Sequence, residues 1–174
     1  MPFESPIISK EHALTGLNEA LLQAETPDLA YNRIVTYFHG LRNANPDLHI
    51  GLISGRVSGI DDDAVKNNKA RLVMYSNEIG IQKPGAVIFS CPEAFSDEAK
   101  TKIKYETMGD NRKRTLWQQM VLAGIFTDIY MTPGWEKSEG AWLEYEAARN
   151  RKDVAIHFII DSADEPPNQN IQTT

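Results

Sequence analysis

Short apolar runs alternate along the chain with longer segments in which apolar residues recur at helical spacing. The runs are apolar at nearly every position, as in strands that are buried on both faces. They cover residues 49–53, 85–90, 127–131 and 154–160. The intervening segments predict helices over residues 62–78, 116–126 and 138–151. This alternation indicates an α/β protein: a parallel sheet of about four to five strands flanked by helices, Rossmann-like or flavodoxin-like.

The N-terminal part of the chain predicts two further helices. Ser9 can cap a helix over residues 10–24, and Thr26 followed by Pro27 is typical of the start of a second helix. Each helix has an apolar stripe that must be buried against a partner. We therefore expect both helices to pack on the α/β core.

The pattern indicates one domain over residues 1–174 with three parts. They are N-terminal helices over 1–46, an α/β core over 47–162 and a disordered tail over 163–174. The tail has two prolines and little apolar surface to bury. Residues 96–114 are polar and charged, and they predict a mobile excursion from the core.

The net charge of the chain argues against some classes of binding partner. The 174 residues include 18 Lys and Arg against 24 Asp and Glu, a net charge of −6. This balance argues against a surface for nucleic-acid polymers or for anionic membranes, because both require basic patches. A small anionic ligand stays possible, since it needs only a few local donors.

Residue types that bind metals are sparse. Cys91 is the single cysteine, so neither a disulfide framework nor a cysteine-rich zinc site can form. The four histidines form no HxxxH or similar ligand pair. No apolar window approaches the roughly 20 residues of a membrane span, and the first residues lack a signal-peptide pattern. We expect a cytoplasmic protein without a metal or a cofactor.

Two segments follow strands of the predicted sheet, at the edge where open parallel sheets bind ligands. They are residues 54–59 and residues 132–144. The first offers hydroxyls, a guanidinium and glycines, which suit an oxyanion, and matches neither a Walker loop nor a dinucleotide-binding loop. Its candidate substrate-binding residues are Ser54, Gly55, Arg56, Ser58 and Gly59. An ordinary tight turn is the alternative interpretation.

The second segment turns the chain into a helix. Ser138 and Gly140, at the start of this helix, are candidate substrate-binding residues, and Ser138 can either cap the helix or contact a ligand. Glu144 shares a helical face with Ala141 and Ala148, so it loses water if the helix packs on the sheet. Glu144 is therefore the candidate catalytic residue. A solvated surface charge is the alternative.

Together, in this order, the two segments resemble the nucleoside 2-deoxyribosyltransferase-like superfamily, which includes deoxynucleoside monophosphate N-hydrolases. The matching stretches are Ile53-Ser54-Gly55 with Gly59, and Asp128 to Glu144 with its Pro-Gly-Trp-Glu-Lys-Ser-Glu-Gly-Ala run. The resemblance covers residues 49–160. It implies that Glu144 is the nucleophile and that Ser138 contacts the 5′ position of the sugar, where a hydroxyl suits a phosphate better than a carboxylate does.

The activity implied by this resemblance is hydrolysis of the N-glycosidic bond of a (deoxy)nucleoside 5′-monophosphate by a homodimer. A carboxylate under the anomeric carbon stabilises or captures the positive charge that develops on the sugar. Transfer of deoxyribose between bases is the close variant, which Ser138 disfavours because the transferases carry Asp there. A phosphoribohydrolase of the cytokinin type is disfavoured, because Pro133-Gly134-Trp135 lacks the second glycine of that family's loop.

Two positions depart from the family pattern. Leu52 stands where family enzymes often carry a Tyr that orients the nucleophile, and Met120 stands where the monophosphate hydrolases carry an acidic proton donor. Asp110 or Glu106 could replace that acid. If neither does, the chain is a nucleotide-binding module that senses or sequesters its ligand without turnover.

Overall fold

The computed structural model describes residues 8–24, 26–105, 107–160 and 171–173. Within these ranges one sheet has five strands in the order β2-β1-β3-β4-β5. The strands are β1 Ile50–Ser54, β2 Val87–Ser90, β3 Asp128–Met131, β4 Ala155–Ile159 and β5 Ile171–Thr173. Strands β1 to β4 are parallel, and β5 runs antiparallel to β4. The predicted α/β class is confirmed, with an antiparallel strand added at one edge.

Helices cover both faces of the sheet. They are α1 Lys10–Leu22, α2 Pro27–Ala44, α3 Asp62–Gln82, α4 Cys91–Ala94, α5 Asp97–Lys102, α6 Asp110–Leu122 and α7 Glu139–Arg149, with a 3₁₀ helix over Trp135–Lys137. Helix α3 buries a smaller apolar cluster on one face, and α1, α2, α6 and α7 share a larger core on the other. No helix in the described ranges combines the length and the apolar character that crossing a membrane requires.

The strand order changes direction at β1, which has β2 on one side and β3 on the other. In open α/β sheets this reversal leaves a crevice beyond the carboxyl ends of the two central strands. Ser54 ends β1 directly beside Met131, which ends β3. The segments that follow these strands are therefore neighbours in space.

The two predicted N-terminal helices are present and belong to the core. The Phe38 ring of α2 stacks on Phe89 of β2, with centroids 5.7 Å apart, and Ile34 is fully buried. Both predicted caps form, at Ser9 and Thr26. Truncating a buried Phe costs about 3–5 kcal/mol, so this pair contributes to the stability of the whole domain.

The prediction of a mobile excursion over residues 96–114 is wrong. Ser96 caps α5 by accepting a hydrogen bond from Ala99 N–H, and Ala99 and Ile103 are buried. Helix α6 then begins at Asp110, well before the predicted residue 116. The few apolar residues are spaced widely among charges, which hid the helices from a search for apolar stripes.

The predicted tail over residues 163–174 falls mostly outside the described residues. Within it, Ile171–Thr173 form β5 and pair with β4, with Ile171 opposite Ile159. A strand edge offers main-chain hydrogen bonds to any sequence, so a polar composition does not reveal such pairing.

Candidate functional site

A cavity of about 410 Å³ opens at the carboxyl edge of the sheet. Its near wall consists of the lining residues of the loop after β1, Gly55 to Ser58, and of the first turns of α7, Ser138 to Glu144. Its volume falls within the roughly 300–1,000 Å³ of small-molecule sites. The two segments selected from the sequence therefore meet in one site.

Glu144 lines this cavity from the face of α7 that packs on the sheet. The residue is 8% exposed, and Ala141 and Ala148 beside it are also buried. Burial raises the pKa of Glu144 to about 7, although Ser54 Oγ donates a hydrogen bond to Glu144 Oε2 that acts in the opposite direction. At neutral pH this carboxyl group is divided between its ionised and protonated forms.

The start of α7 gives the near wall a positive character. Ser138 Oγ accepts a hydrogen bond from Ala141 N–H at 3.3 Å and lies 3.5 Å from Gly55 O. Ser138 and Gly140 both line the cavity. Because a helix N-terminus carries partial positive charge, this part of the cavity suits an anionic group. Ser138 thus caps the helix and still borders the ligand space.

Gly55 lets the loop after β1 pass against β3. A Cβ at this position would lie 2.0 Å from Thr132 Oγ1 and 2.9 Å from Leu72 Cδ2, both in packed surroundings. Gly59 is confined in the same way, with Ala64 Cβ at 2.5 Å from its ideal Cβ. Gly55 lines the cavity and Gly59 does not. Gly59 therefore shapes the loop rather than touching a ligand.

The other predicted donor residues of this loop differ in whether they are available to a ligand in the cavity. Ser58 lines the cavity. Ser54 is buried and its hydroxyl is engaged with Glu144. Arg56 turns back on its own loop, where its Nε donates to Ser58 O at 3.0 Å, and it does not line the cavity. The guanidinium that does so is that of Arg114 in α6, which pairs with Glu139.

The cavity-lining part of the β2–β3 connection forms a second wall, the far wall, of which sequence reasoning identified only Asp110 as a candidate. Its residues are Cys91, Pro92, Lys100, Tyr105, Asp110, Lys113, Arg114 and Trp117. Trp117 Nε1 donates to Tyr105 OH at 3.3 Å, which joins α6 to the segment after α5. Asp110, Arg114 and Trp117 recur at helical spacing, and that spacing is the signal that could have placed them on one helical face.

Cys91 is a wall residue and not a nucleophile. Burial raises the pKa of its thiol well above the usual range, the charge of Glu144 adds to this effect, and Lys69 opposes it. A thiol with a raised pKa stays protonated and unreactive at neutral pH. The thiol is thus excluded from covalent chemistry at this site.

The two family departures differ in position. Leu52 lines the cavity, so no phenol reaches Glu144 from that residue. Met120 is buried in the core and does not line the cavity. Of the two replacement acids, Asp110 borders the cavity and Glu106 lies outside the described residues. Asp110 therefore borders the ligand space, whereas Met120 does not.

Asp128 stands at the start of β3, at the opposite edge of the sheet from the cavity. Its carboxylate oxygens lie 2.7 Å from His157 Nε2, 3.0 Å from His49 Nδ1 and 2.7 Å from Thr127 Oγ1. Burial alone would raise its pKa, but these hydrogen bonds hold the pKa of Asp128 well below its usual range. Asp128 is therefore bound to fixed partners away from the cavity.

Comparison of the chain with protein-family models, with curated proteins and with solved structures gives no match. In the described part of the chain, no group of three or more His, Cys, Asp or Glu side chains is arranged to hold a metal ion. The family resemblance stays a prediction, and the structural basis for a proposed function is the cavity.

Proposed function

We propose that the protein is a nucleotide N-glycosidase, which hydrolyses the bond between base and sugar in a (deoxy)nucleoside 5′-monophosphate. The observation that carries this proposal is Glu144, a buried carboxyl group that accepts a hydrogen bond from Ser54 and lines a cavity of ligand size beside a helix N-terminus. A carboxylate removed from water interacts strongly with positive charge that develops on a bound sugar.

In this mechanism Glu144 attacks the anomeric carbon while the N-glycosidic bond breaks. The electron pair of that bond leaves with the base, which takes up a proton, and a glycosyl ester of Glu144 forms. Water then attacks the same carbon, releases the carboxylate and loses its proton to solvent. The Ser54 hydroxyl orients the carboxylate and favours its ionised, nucleophilic form.

The 5′-phosphate lies at the start of α7 in this proposal. Ser138 offers a neutral hydroxyl, and Gly140 leaves the first turn of the helix open to a ligand. Arg114 reaches the same end of the cavity, where its side chain lies 3.6 Å from the ideal Cβ of Gly140. A phosphate there would compete with Glu139 for the Arg114 guanidinium.

Asp110 is the residue that we assign to the departing base. It lines the far wall at the first turn of α6. A carboxyl group in that position can pass a proton to the base nitrogen as the bond breaks.

The test is incubation with a panel of deoxy- and ribonucleoside 5′-monophosphates, followed by chromatography for the free base. We expect release from at least one monophosphate and little from the matching nucleoside, because the nucleoside lacks the charge-assisted contacts. Losing one such contact costs about 1.5–3 kcal/mol, or about tenfold or more in affinity. Equal turnover of nucleoside and monophosphate would overturn the assignment of the phosphate to α7.

A nucleotide-binding module without turnover is the second candidate, and the observation that favours it is Leu52 in the cavity together with Met120 in the core. Leu52 supplies no phenol to orient the Glu144 carboxylate, and Met120 supplies no acid on α6. A protein with these residues can bind a nucleotide without breaking its N-glycosidic bond. Tight binding of a monophosphate with no free base from any member of the panel would select this candidate.

The homodimer and the cytoplasmic location are parts of the proposal that come from the sequence alone. Light scattering coupled to size-exclusion chromatography measures the oligomeric state directly. A mass near twice the 19.5 kDa of the chain would support the dimer. A mass near that of one chain would contradict it.

A further inference from the structure

The charges that line the cavity differ from those of the whole chain. The protein has a net charge of −6, yet four basic residues line this one cavity. They are Lys69, Lys100, Lys113 and Arg114. Arg114 pairs with Glu139, so its charge is largely neutralised. The other three form the lysine cluster, and Asp110 and Glu144 also line the cavity.

The lysine cluster is assembled from three helices, which distinguishes it from the solvated face of one helix. Lys69 comes from α3, Lys100 from α5 and Lys113 from α6. Lys100 Nζ has a long contact of 3.4 Å with Asp97, a fully exposed side chain. Lys113 Nζ lies 5.2 Å from the centre of the Tyr105 ring, on the far wall. The fold thus brings cations that are distant in sequence to one cavity.

We propose that the lysine cluster is a second anionic subsite, through which the cavity binds a nucleoside 5′-di- or triphosphate more tightly than the monophosphate. This inference rests on the proposed function, since it takes the first phosphate to lie at the start of α7. Further phosphates extend across the cavity to the lysines. Because these lysines and the start of α7 line one cavity, a single ligand can contact both.

Lysine suits this role better than arginine does. Its ammonium is a compact charge on a flexible stem, which can follow the bends of a phosphate chain. Ser138 and the first turn of α7, in contrast, offer fixed donors suited to a single phosphate. The two ends of the cavity therefore differ in the way in which they hold negative charge.

The test compares deoxynucleoside mono-, di- and triphosphates by calorimetric titration of Glu144→Gln, a variant chosen to prevent turnover. We expect the triphosphate to bind about tenfold or more tightly than the monophosphate. The difference should shrink as salt is added, because the extra contacts are ionic. Equal affinities of the three ligands would overturn the second subsite.

Two double variants in the same background assign the effect to the lysine cluster. Lys69→Gln with Lys100→Gln removes two of its charges, and the loss of affinity should be at least about tenfold larger for the triphosphate than for the monophosphate. Lys66→Gln with Lys102→Gln is the matched control, because these exposed lysines lie on the same two helices and do not line the cavity. An equal loss in both doubles would overturn the assignment.

Inorganic tripolyphosphate separates this inference from the proposed function. Binding of tripolyphosphate that the Lys69/Lys100 double abolishes, with no binding of any nucleotide, would support the anionic subsite and contradict a nucleotide ligand. Binding of monophosphates with no gain from added phosphates would support the proposed function and overturn the second subsite.

Discussion

Two carboxyl groups in the described part of the chain are buried at opposite ends of the strands, and their pKa values are shifted in opposite directions. Asp128, 5% exposed, receives three side-chain hydrogen bonds, which hold its pKa well below the usual range. Glu144, 8% exposed, receives one from Ser54, and burial raises its pKa to about 7. Burial acts on both, but three hydrogen bonds and the charge of His157 outweigh it at Asp128, whereas one hydrogen bond does not outweigh it at Glu144.

This comparison separates a structural carboxylate from one that is available for chemistry. Asp128 in β3 is bound to His157 in β4 and to His49, which precedes β1. Glu144 keeps a charge that is poorly compensated until a cationic centre arrives in the cavity. Variants at the two positions should therefore fail in different assays.

Glu144→Gln should give the largest effect, because it keeps the shape of the side chain and removes the nucleophile. Base release should fall roughly a thousandfold or more, while binding of the nucleotide is largely kept. Chromatography measures release and calorimetry measures binding. Glu146→Gln on the same helix is the control, since Glu146 pairs with Arg149 and does not line the cavity. Unchanged release in Glu144→Gln would remove Glu144 from the mechanism.

Asp128→Asn should act on stability instead. Removing the charge weakens the hydrogen bonds that the carboxylate accepts from His157, His49 and Thr127, and losing a hydrogen bond to a charged group costs about 1.5–3 kcal/mol. Urea unfolding measures this loss, and base release per folded molecule should be nearly unchanged. Asp153→Asn, which removes an exposed partner of Arg151, should cost less than about 1 kcal/mol. Equal costs at the two positions would contradict the structural role of Asp128.

The pH dependence of stability should differ in sign at the two sites. The raised pKa of Glu144 means that its ionisation opposes folding as the pH rises from about 4 through about 7. Glu144→Gln should therefore gain on the order of 2–3 kcal/mol over wild type near pH 8 and almost nothing near pH 4. Asp128, with a lowered pKa, stabilises the fold above about pH 4 and loses that contribution as the pH falls.

Urea unfolding at both ends of this pH range checks these opposite trends. A gain for Glu144→Gln that does not change with pH would show that the carboxyl group titrates normally, and the contrast between the two sites would disappear.

Ser54→Ala should give the smallest of these effects, because it shifts the pH dependence of base release and does not abolish the release. It removes the hydrogen bond that favours ionised Glu144, so the pKa of Glu144 should rise further, by about one unit. The acid limb of the pH profile for base release should move up by the same amount. Ser58→Ala alters another hydroxyl of the loop and should leave that limb in place. A profile that Ser54→Ala leaves unmoved would mean that the hydroxyl does not tune the carboxylate.

The near wall of the cavity could be predicted because its residues follow strands. Apolar runs place the ends of β1 and β3, and helical spacing then turns Glu144 toward the sheet. Ser138 was predictable for the same reason, as the cap of the helix that follows β3. Local pattern and global fold agree at these positions.

The rest depended on contacts that no local pattern contains. Arg56 has the expected positive charge, but its Nε donates a hydrogen bond of 3.0 Å to the carbonyl oxygen of Ser58 in the same loop. Trp117 and Lys100 line the same cavity as Glu144 only because α5 and α6 pass along the carboxyl edge of the sheet. Strand β5 likewise depends on the open edge of β4 and not on its own sequence.

The far wall belongs to the connection between β2 and β3, whereas Ser54 and Glu144 come from β1 and α7. Under the proposed function, the residues that face the base are then encoded apart from the two residues that act on the sugar. Insertions or exchanges confined to the connection can alter which nucleotide enters and leave the pair that acts on the sugar intact. Proteins that descend from such a chain can therefore change their ligand while the residues that act on the sugar stay the same.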